Sequence, residues 1–239
     1  TYNMIDSFLK EGYVVVAPDY EGLGEPSSNE IHPFLHLKSE AYSITDAVVA
    51  TKSWLGNKVS NKWAILGHSQ GGHAALGAAQ YAARANMDYK GLVAAAPANN
   101  LEMIETLSEM ALANNSAPAF GYIMLDTLTA FMAAGMKSLY PTEPVYSKIF
   151  KSPTDKFAAE NAEKLCLFEL GSAFMEGPIT EYALANDRNS LKGYSSRKQE
   201  GFKNDLIIKQ FLAKDSQPLQ TVVKTPIIIY QGGSDNIVL

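Results

Sequence analysis

The chain has 239 residues, with 25 acidic and 20 basic side chains, a formal net charge of -5, 46% hydrophobic residues and one cysteine. That length can bury a substantial core, and a single elaborated α/β domain is the first expectation. The acidic balance offers no electrostatic footprint for a nucleic-acid backbone, and the lone Cys166 excludes an internal disulfide framework and a cysteine-rich metal site.

Thr1 opens the chain without an initiator methionine, inside what already reads as a helix, so the sequence is expected to be a piece of something longer. The lack of a leader is then uninformative. Tyr2, Ile5, Phe8 and Leu9 recur at helical spacing and stop at Gly12, a residue type that tolerates the left-handed turn closing a helix. The run "YVVVAP" that follows is continuous and β-branched, the pattern of a strand buried on both faces of a parallel sheet. "DYEGLGEPSSNEIHP" is a polar loop punctuated by Gly and Pro. Leu37, Ala41, Ile44, Val48 and Leu55 then mark one face of a long helix ending near Gly56.

The pattern repeats with "WAIL" as a strand, Gln70 to Ala85 as an alanine-rich helix, and "GLVAAAP" as a strand. Alternation of this kind predicts a parallel sheet with crossover helices. From about residue 99 to 220 the periodicity is helical, with Phe120, Met124, Leu128, Phe131 and Gly135 on one stripe, and the sheet resumes only at "PIIIYQGG", residues 226 to 233. An insertion of that size is far beyond loop length and is expected to be a subdomain. The expected organisation is a first core segment over 1–98, a helical cap over 99–221 and a second core segment over 222–239. The most apolar window, Pro118 to Gly135, carries Asp126 and falls short of a membrane span.

Residues 67–71, "GHSQG", fit the pattern G-x-S-x-G. The pattern alone is weak; its setting, a serine between a buried strand and a helix, is what strengthens it. A serine at such an elbow sits in a strained backbone conformation, and the spacing predicts that Gly67 and Gly71 lack side chains so that the turn can close, while Gly72 lets the helix pack closely. The elbow also aims the first free N–H groups of the helix at the hydroxyl, with the Gln70 N–H as the natural oxyanion donor. Ser69 as a simple helix cap would explain the serine but not the two glycines around it.

Taken in order, "GYVVVAPDYEGLG", a long helix, "GHSQGG", a strand, a helical insertion and a strand ending "QGGSDNIV" resemble the α/β-hydrolase fold. The branch most resembled is that of the secretory lipases related to fungal lipase A, with their bacterial relatives. The likeness covers residues 12–98 and 222–238, and in the insertion it is architectural only. It implies a mostly parallel sheet flanked by helices, with a helical cap between two core strands. It also implies a serine carboxylic-ester hydrolase with Ser69 as nucleophile, Asp235 as the acid of the triad, Gln70 N–H in the oxyanion hole, and Gly67, His68, Gly71 and Gly72 forming the elbow. No metal or organic cofactor is implied. The implied partner is a small-molecule ester or a lipid, with transient contact at a lipid interface and no nucleic acid, and the implied location is secreted or periplasmic.

Asp235 also has an ordinary reading as a turn aspartate beside Gly232, Gly233 and Asn236. Family order places a histidine after the acid, whereas His32, His36, His68 and His73 all precede it. The side chain of His68 should leave the elbow in another direction, His73 should be a packed, hydrogen-bonded imidazole, and His32 and His36 should be structural or solvent-facing. The base, and a second oxyanion donor from a loop before the first helix, are therefore expected outside this sequence. Asp19 and Tyr20 are expected to stabilise their loop. Met103, Met110, Phe120, Met124, Phe131, Met132 and Phe174 suit either the cap's own core or an apolar pocket lining for an aliphatic acyl chain. Cys166 either pairs with a cysteine upstream or is an inert buried thiol. Two alternatives stay open: a peptidase or acyltransferase on the same fold, and a noncatalytic module that keeps the architecture without a complete triad.

Overall fold

The structure, a computed structural model, describes residues 2–24, 30–113, 119–186, 191, 194–235 and 237–238. Its centre is a parallel sheet of β1 (Lys62–His68), β2 (Asp88–Ala95) and β3 (Ile227–Tyr230), in the order β1-β2-β3. The register pairs His68 with Ala95 and Ala95 with Tyr230, so the three carboxyl ends lie level. Helix α1 (Tyr2–Lys10) precedes α2 (Leu37–Leu55), and α3 (Gln70–Tyr81) connects β1 to β2.

Small side chains set the layering. Ala75, Ala78 and Ala79 of α3 are buried against the sheet with Trp63, Ile65 and Leu92, and α2 packs against α3. The two helices approach so closely that a Cβ at Gly77 would lie 2.5 Å from Leu37 Cδ1. Helix α2 stops at Gly56, where φ is 56°. There the Lys52 ammonium donates to the Gly56 carbonyl at 2.9 Å and to the Val59 carbonyl at 2.8 Å, which satisfies carbonyls left open at a helix end.

Two sequence expectations are corrected here. Residues 13–17 make no strand ladder, and Tyr13, Val14 and Val16 are exposed. β-branched residues favour an extended backbone, but a strand also needs a neighbour's N–H and C=O groups, and none lies alongside among the described residues. Nor is the sheet buried on both faces: β1 alternates strictly between exposed and buried residues, as a strand covered on one side does, and Ile228, Ile229 and Tyr230 of β3 are exposed.

Between β2 and β3 the described chain is helical: α4 (Leu101–Ala113), α5 (Ala119–Leu139), α6 (Val145–Ile149), α7 (Thr154–Asn161), α8 (Leu167–Phe174), α9 (Thr180–Ala185) and α10 (Leu206–Gln210). The last of these runs into a π-helical turn, Phe211–Asp215. These helices share a core containing Met132, Met136, Ile149, Phe150, Phe174 and Phe211, into which Leu35 from the loop before α2 also packs. On α5 the stripe expected from sequence is only half-buried at Met124, Leu128 and Phe131, while Tyr122, Asp126, Thr129, Ala133 and Met136 face inward. Phe120 lies outside the residues whose side chains are described. The inward face is partly polar because it meets a buried lysine. Lys198 pairs with Glu105 and reaches Thr129 Oγ1 at 3.3 Å. No helix among the described residues is long and apolar enough to cross a membrane.

Candidate active site

Ser69 sits between the last residue of β1 and the first of α3 with φ 55° and ψ -120°, outside the regions an L-residue prefers. A backbone of this kind costs of order 1–3 kcal/mol and persists only where its surroundings over-determine it. Here the Ser69 N–H donates to the Ala95 carbonyl at 2.9 Å, and the Ser69 carbonyl accepts from His73 N–H at 3.0 Å and Ala98 N–H at 3.4 Å. Gly67 is sterically required, since a Cβ there would lie 1.9 Å from the Gly71 carbonyl oxygen. At Gly72 a Cβ would meet Pro97 Cα at 2.9 Å, so this glycine lets the helix lie against the end of β2.

Gly71 differs from the expectation: the nearest atom to a Cβ there is the Tyr20 hydroxyl at 4.0 Å, so the position has room for a side chain. What closes the turn is the Gly71 carbonyl pressed against Gly67. Beyond the serine, His73 N–H is the first helical amide with a backbone acceptor. The N–H groups of Gln70, Gly71 and Gly72 are first-turn donors with no acceptor among the described residues, at the positive end of the α3 dipole. An anionic oxygen beside Ser69 would find the Gln70 amide there.

Asp235 lies in the turn after β3. Its Oδ1 accepts from Ile237 N–H at 2.9 Å and Val238 N–H at 3.0 Å, and its own N–H donates to Gly232 O at 3.2 Å. One oxygen thus plays the ordinary turn role, and Oδ2 has no hydrogen-bond partner among the described residues. Asn236 lies outside them. Ser69 follows β1 and Asp235 follows β3, with β2 between. The Ser69 N–H bond to Ala95 and the Ala96 N–H bond to Tyr230 O at 2.8 Å carry the ladder up to both. The two side chains therefore belong to the same carboxyl edge of the sheet, where ligands of open α/β sheets gather.

None of the four histidines hydrogen-bonds the Ser69 hydroxyl among the described residues. His68 ends β1 and is exposed. His36 precedes α2, and burial holds its imidazole below the usual range against the pull of Asp215, Glu21 and Glu40. His32 Nδ1 donates to the Glu21 carbonyl at 2.8 Å, leaving Nε2 to accept from the Gln70 side-chain amide at 2.9 Å. Tyr20 stacks on that ring with centroids 5.9 Å apart, and its phenol is raised by burial, with the Glu40 charge adding. His73 is fully buried, with Nδ1 2.6 Å from Glu40 Oε2 and Nε2 2.6 Å from the Ser216 carbonyl.

Glu40 is the residue that sequence reading missed. Its side chain is wholly buried between α2 and α3, with Oε1 accepting from Leu35 N–H at 3.1 Å and from Gln70 Nε2 at 2.9 Å. The signal was present: Glu40 falls on the same α2 face as Leu37 and Ala41, an acid inside an apolar stripe.

Of the other candidates, Met132 and Phe174 are buried in the helical core, and Phe131 packs on Phe34. Met103 and Met110 are exposed on α4 together with Leu107, one face of that helix. Cys166 is exposed at the start of α8, which corrects its reading as a buried thiol. Among the described residues no group of three or more His, Cys, Asp or Glu could hold a metal ion. A cleft of about 380 Å³ lined by Met87, Tyr89, Val223 and Thr225 lies at the opposite, amino end of β2 from the serine.

Comparison with known proteins adds to this geometry. The chain is 28% identical over 236 residues to Lipase 1 of Candida albicans, covering 96% of this chain and 45% of that protein. Among solved structures it resembles a single-site variant of the rice cell wall degrading esterase LipA from Xanthomonas oryzae, with 23% identity, a TM-score of 0.67, and coverage of 99% of this chain and 62% of that one. A ligand-bound form of the same esterase gives 24% identity and a TM-score of 0.63 over the same shares. At these identities the structural likeness speaks to the fold, an α/β-hydrolase with a parallel sheet flanked by helices. The secretory lipase pattern matches residues 2–239, and the chain belongs to that family.

Proposed function

We propose that the protein hydrolyses carboxylic esters through an acyl-enzyme formed on Ser69. The observation that carries this is the strained serine at the β1–α3 elbow beside amide protons that have no partner. In this reading the Ser69 hydroxyl attacks the ester carbonyl, and the developing oxyanion is held by the Gln70 N–H. The general base takes the hydroxyl proton and passes it to the departing alcohol, then takes a proton from the attacking water and returns it to Ser69 as the acid is released. Asp235 orients the general base through Oδ2. His32 and His73 have their ring nitrogens committed elsewhere, and neither His36 nor His68 hydrogen-bonds the Ser69 hydroxyl among the described residues, which supports a base and a second oxyanion donor from outside these residues. The helical region between β2 and β3 acts as a cap, and the exposed Met103, Leu107 and Met110 face of α4 supports an aliphatic acyl chain and transient contact with a lipid interface. Membership of the secretory lipase family supports secretion.

The test is fluorophosphonate labelling of the full-length protein with peptide mapping, run beside esters graded by acyl length and aminoacyl amides. An adduct on Ser69, lost in Ser69→Ala together with ester turnover, is expected. An adduct elsewhere overturns the assignment, and a preference for the amides makes the protein a peptidase.

A further inference from the structure

Gln70 and His73 stand three residues apart in the first turn of α3, so their side chains share a helix face. Both grip one carboxylate: Glu40 Oε1 takes Gln70 Nε2 at 2.9 Å and Oε2 takes His73 Nδ1 at 2.6 Å. The second amide proton of Gln70 is held by His32 Nε2 at 2.9 Å, which fixes the side chain at both donors. Glu40 Oε1 also takes the N–H of Leu35, whose φ of 59° puts it, like Ser69, at positive φ. On the far side, the Ser216 carbonyl can only accept, so His73 Nε2 carries a proton and the imidazole is anchored to the segment after the π-helical turn.

Stability alone does not account for this arrangement. A buried carboxylate is costly to desolvate, and a well-packed apolar group of similar volume generally stabilises as well or better. What the carboxylate does here is tie the residue after the nucleophile to α2 and to its own helix one turn on. We propose that Glu40 is a positioning residue for the reaction, acting through its hydrogen bond to Gln70 to aim the Gln70 amide at the developing oxyanion. This rests on the serine reading above.

Three variants of the full-length protein test it. In Glu40→Gln every hydrogen bond can be kept: the amide oxygen accepts from Leu35 and Gln70, and the amide nitrogen donates to Nδ1 of a neutral His73. Turnover within about threefold of wild type is expected, because geometry rather than charge is what acts. Glu40→Leu removes the acceptor and should lower kcat roughly 10- to 100-fold with KM within about threefold, the scale of a misplaced catalytic group. Gln70→Met keeps the backbone N–H and leaves the Glu40–His73 pair intact but takes a donor from Glu40 Oε1 and from His32 Nε2, so Tm should fall by roughly 3–6 °C with the fold retained while kcat falls about tenfold.

Gln70→Met decides the matter even if Glu40→Leu does not fold. Wild-type kcat in folded Gln70→Met, whatever its Tm, overturns the positioning role and leaves the serine reading standing. A loss in Glu40→Gln as deep as in Glu40→Leu also overturns it, by making charge the operative property. Absence of a Ser69 adduct in the wild type removes both readings together.

Discussion

Glu40 and Asp126 are both buried carboxylates, one beneath the nucleophile helix and one on the inner face of α5, and their surroundings treat them oppositely. Glu40 accepts from three separate donors, with both oxygens engaged. Asp126 Oδ2 has no hydrogen-bond partner among the described residues, although Tyr194 and Lys198 stand near it. The Tyr194 hydroxyl facing it is likewise left without a bond of good geometry. A fully coordinated buried charge costs its desolvation once and in return fixes the groups around it. One that is partly coordinated stays responsive to protons.

The largest expected effects come from breaking a pair in either region. His73→Leu leaves Glu40 buried without its Nδ1 partner, and Lys198→Met leaves Glu105 buried without its ammonium partner. Each should lose roughly 3–5 kcal/mol of stability in urea denaturation of the full-length protein, the usual result of orphaning one member of a buried pair. A much smaller loss at His73 than at Lys198 would mean that the Glu40 site admits water or relaxes, and the contrast between the regions would weaken.

Within the elbow, the two glycines flanking Ser69 separate steric need from sequence pattern. Gly67→Ala drives a methyl group into the Gly71 carbonyl, with 1.9 Å between ideal positions. It should cost about 3 kcal/mol or more, since backbone rather than a flexible side chain must give way. Gly71→Ala meets nothing closer than 4.0 Å and should stay within about 1 kcal/mol of wild type. Equal losses at the two positions in thermal or urea unfolding would refute this account of how the turn closes.

That asymmetry also shows what can be read from sequence. The steric demand at Gly67 appears in the sequence as a residue without a side chain two positions before a serine, and the alternation of β1, α3 and β2 follows from local periodicity, so the fold class and the elbow are legible without coordinates. Residues 13–17 carry equally strong β-branched character, yet make no ladder, because pairing depends on a neighbour that local sequence does not specify. Glu40 interacts with Gln70 and His73, both on another helix, and Asp126 and Thr129 face a lysine far along the chain. A stripe chosen by hydrophobicity alone passes over polar residues that are buried because they have partners, which is how the inward face of α5 came to differ from Met124, Leu128 and Phe131.

The finest effect expected is a dependence on pH that belongs to the helical region. Burial pushes the Asp126 carboxyl up to about 6 from an ordinary value of 3.8, against the pull of Lys198, with Tyr194, Glu105 and Arg197 also nearby. Between these two values the folded chain holds a proton at Asp126 that the unfolded chain has released, so raising the pH through that window costs stability. The contribution of Asp126 is therefore intact below about 4 and lost above about 6, a penalty on the order of 2–3 kcal/mol at neutral pH. Asp126→Asn keeps the shape and stays uncharged. It should match the wild type in urea midpoint at pH 4, exceed it at pH 7.5, and flatten the stability profile between. The Glu105–Lys198 pair remains balanced in that variant, which is why a gain is expected and not the loss that follows orphaning. A variant less stable than wild type at pH 7.5 would show that the ionised carboxylate is instead held by Lys198 as firmly as Glu40 is held at the elbow, and the difference between the two sites would disappear.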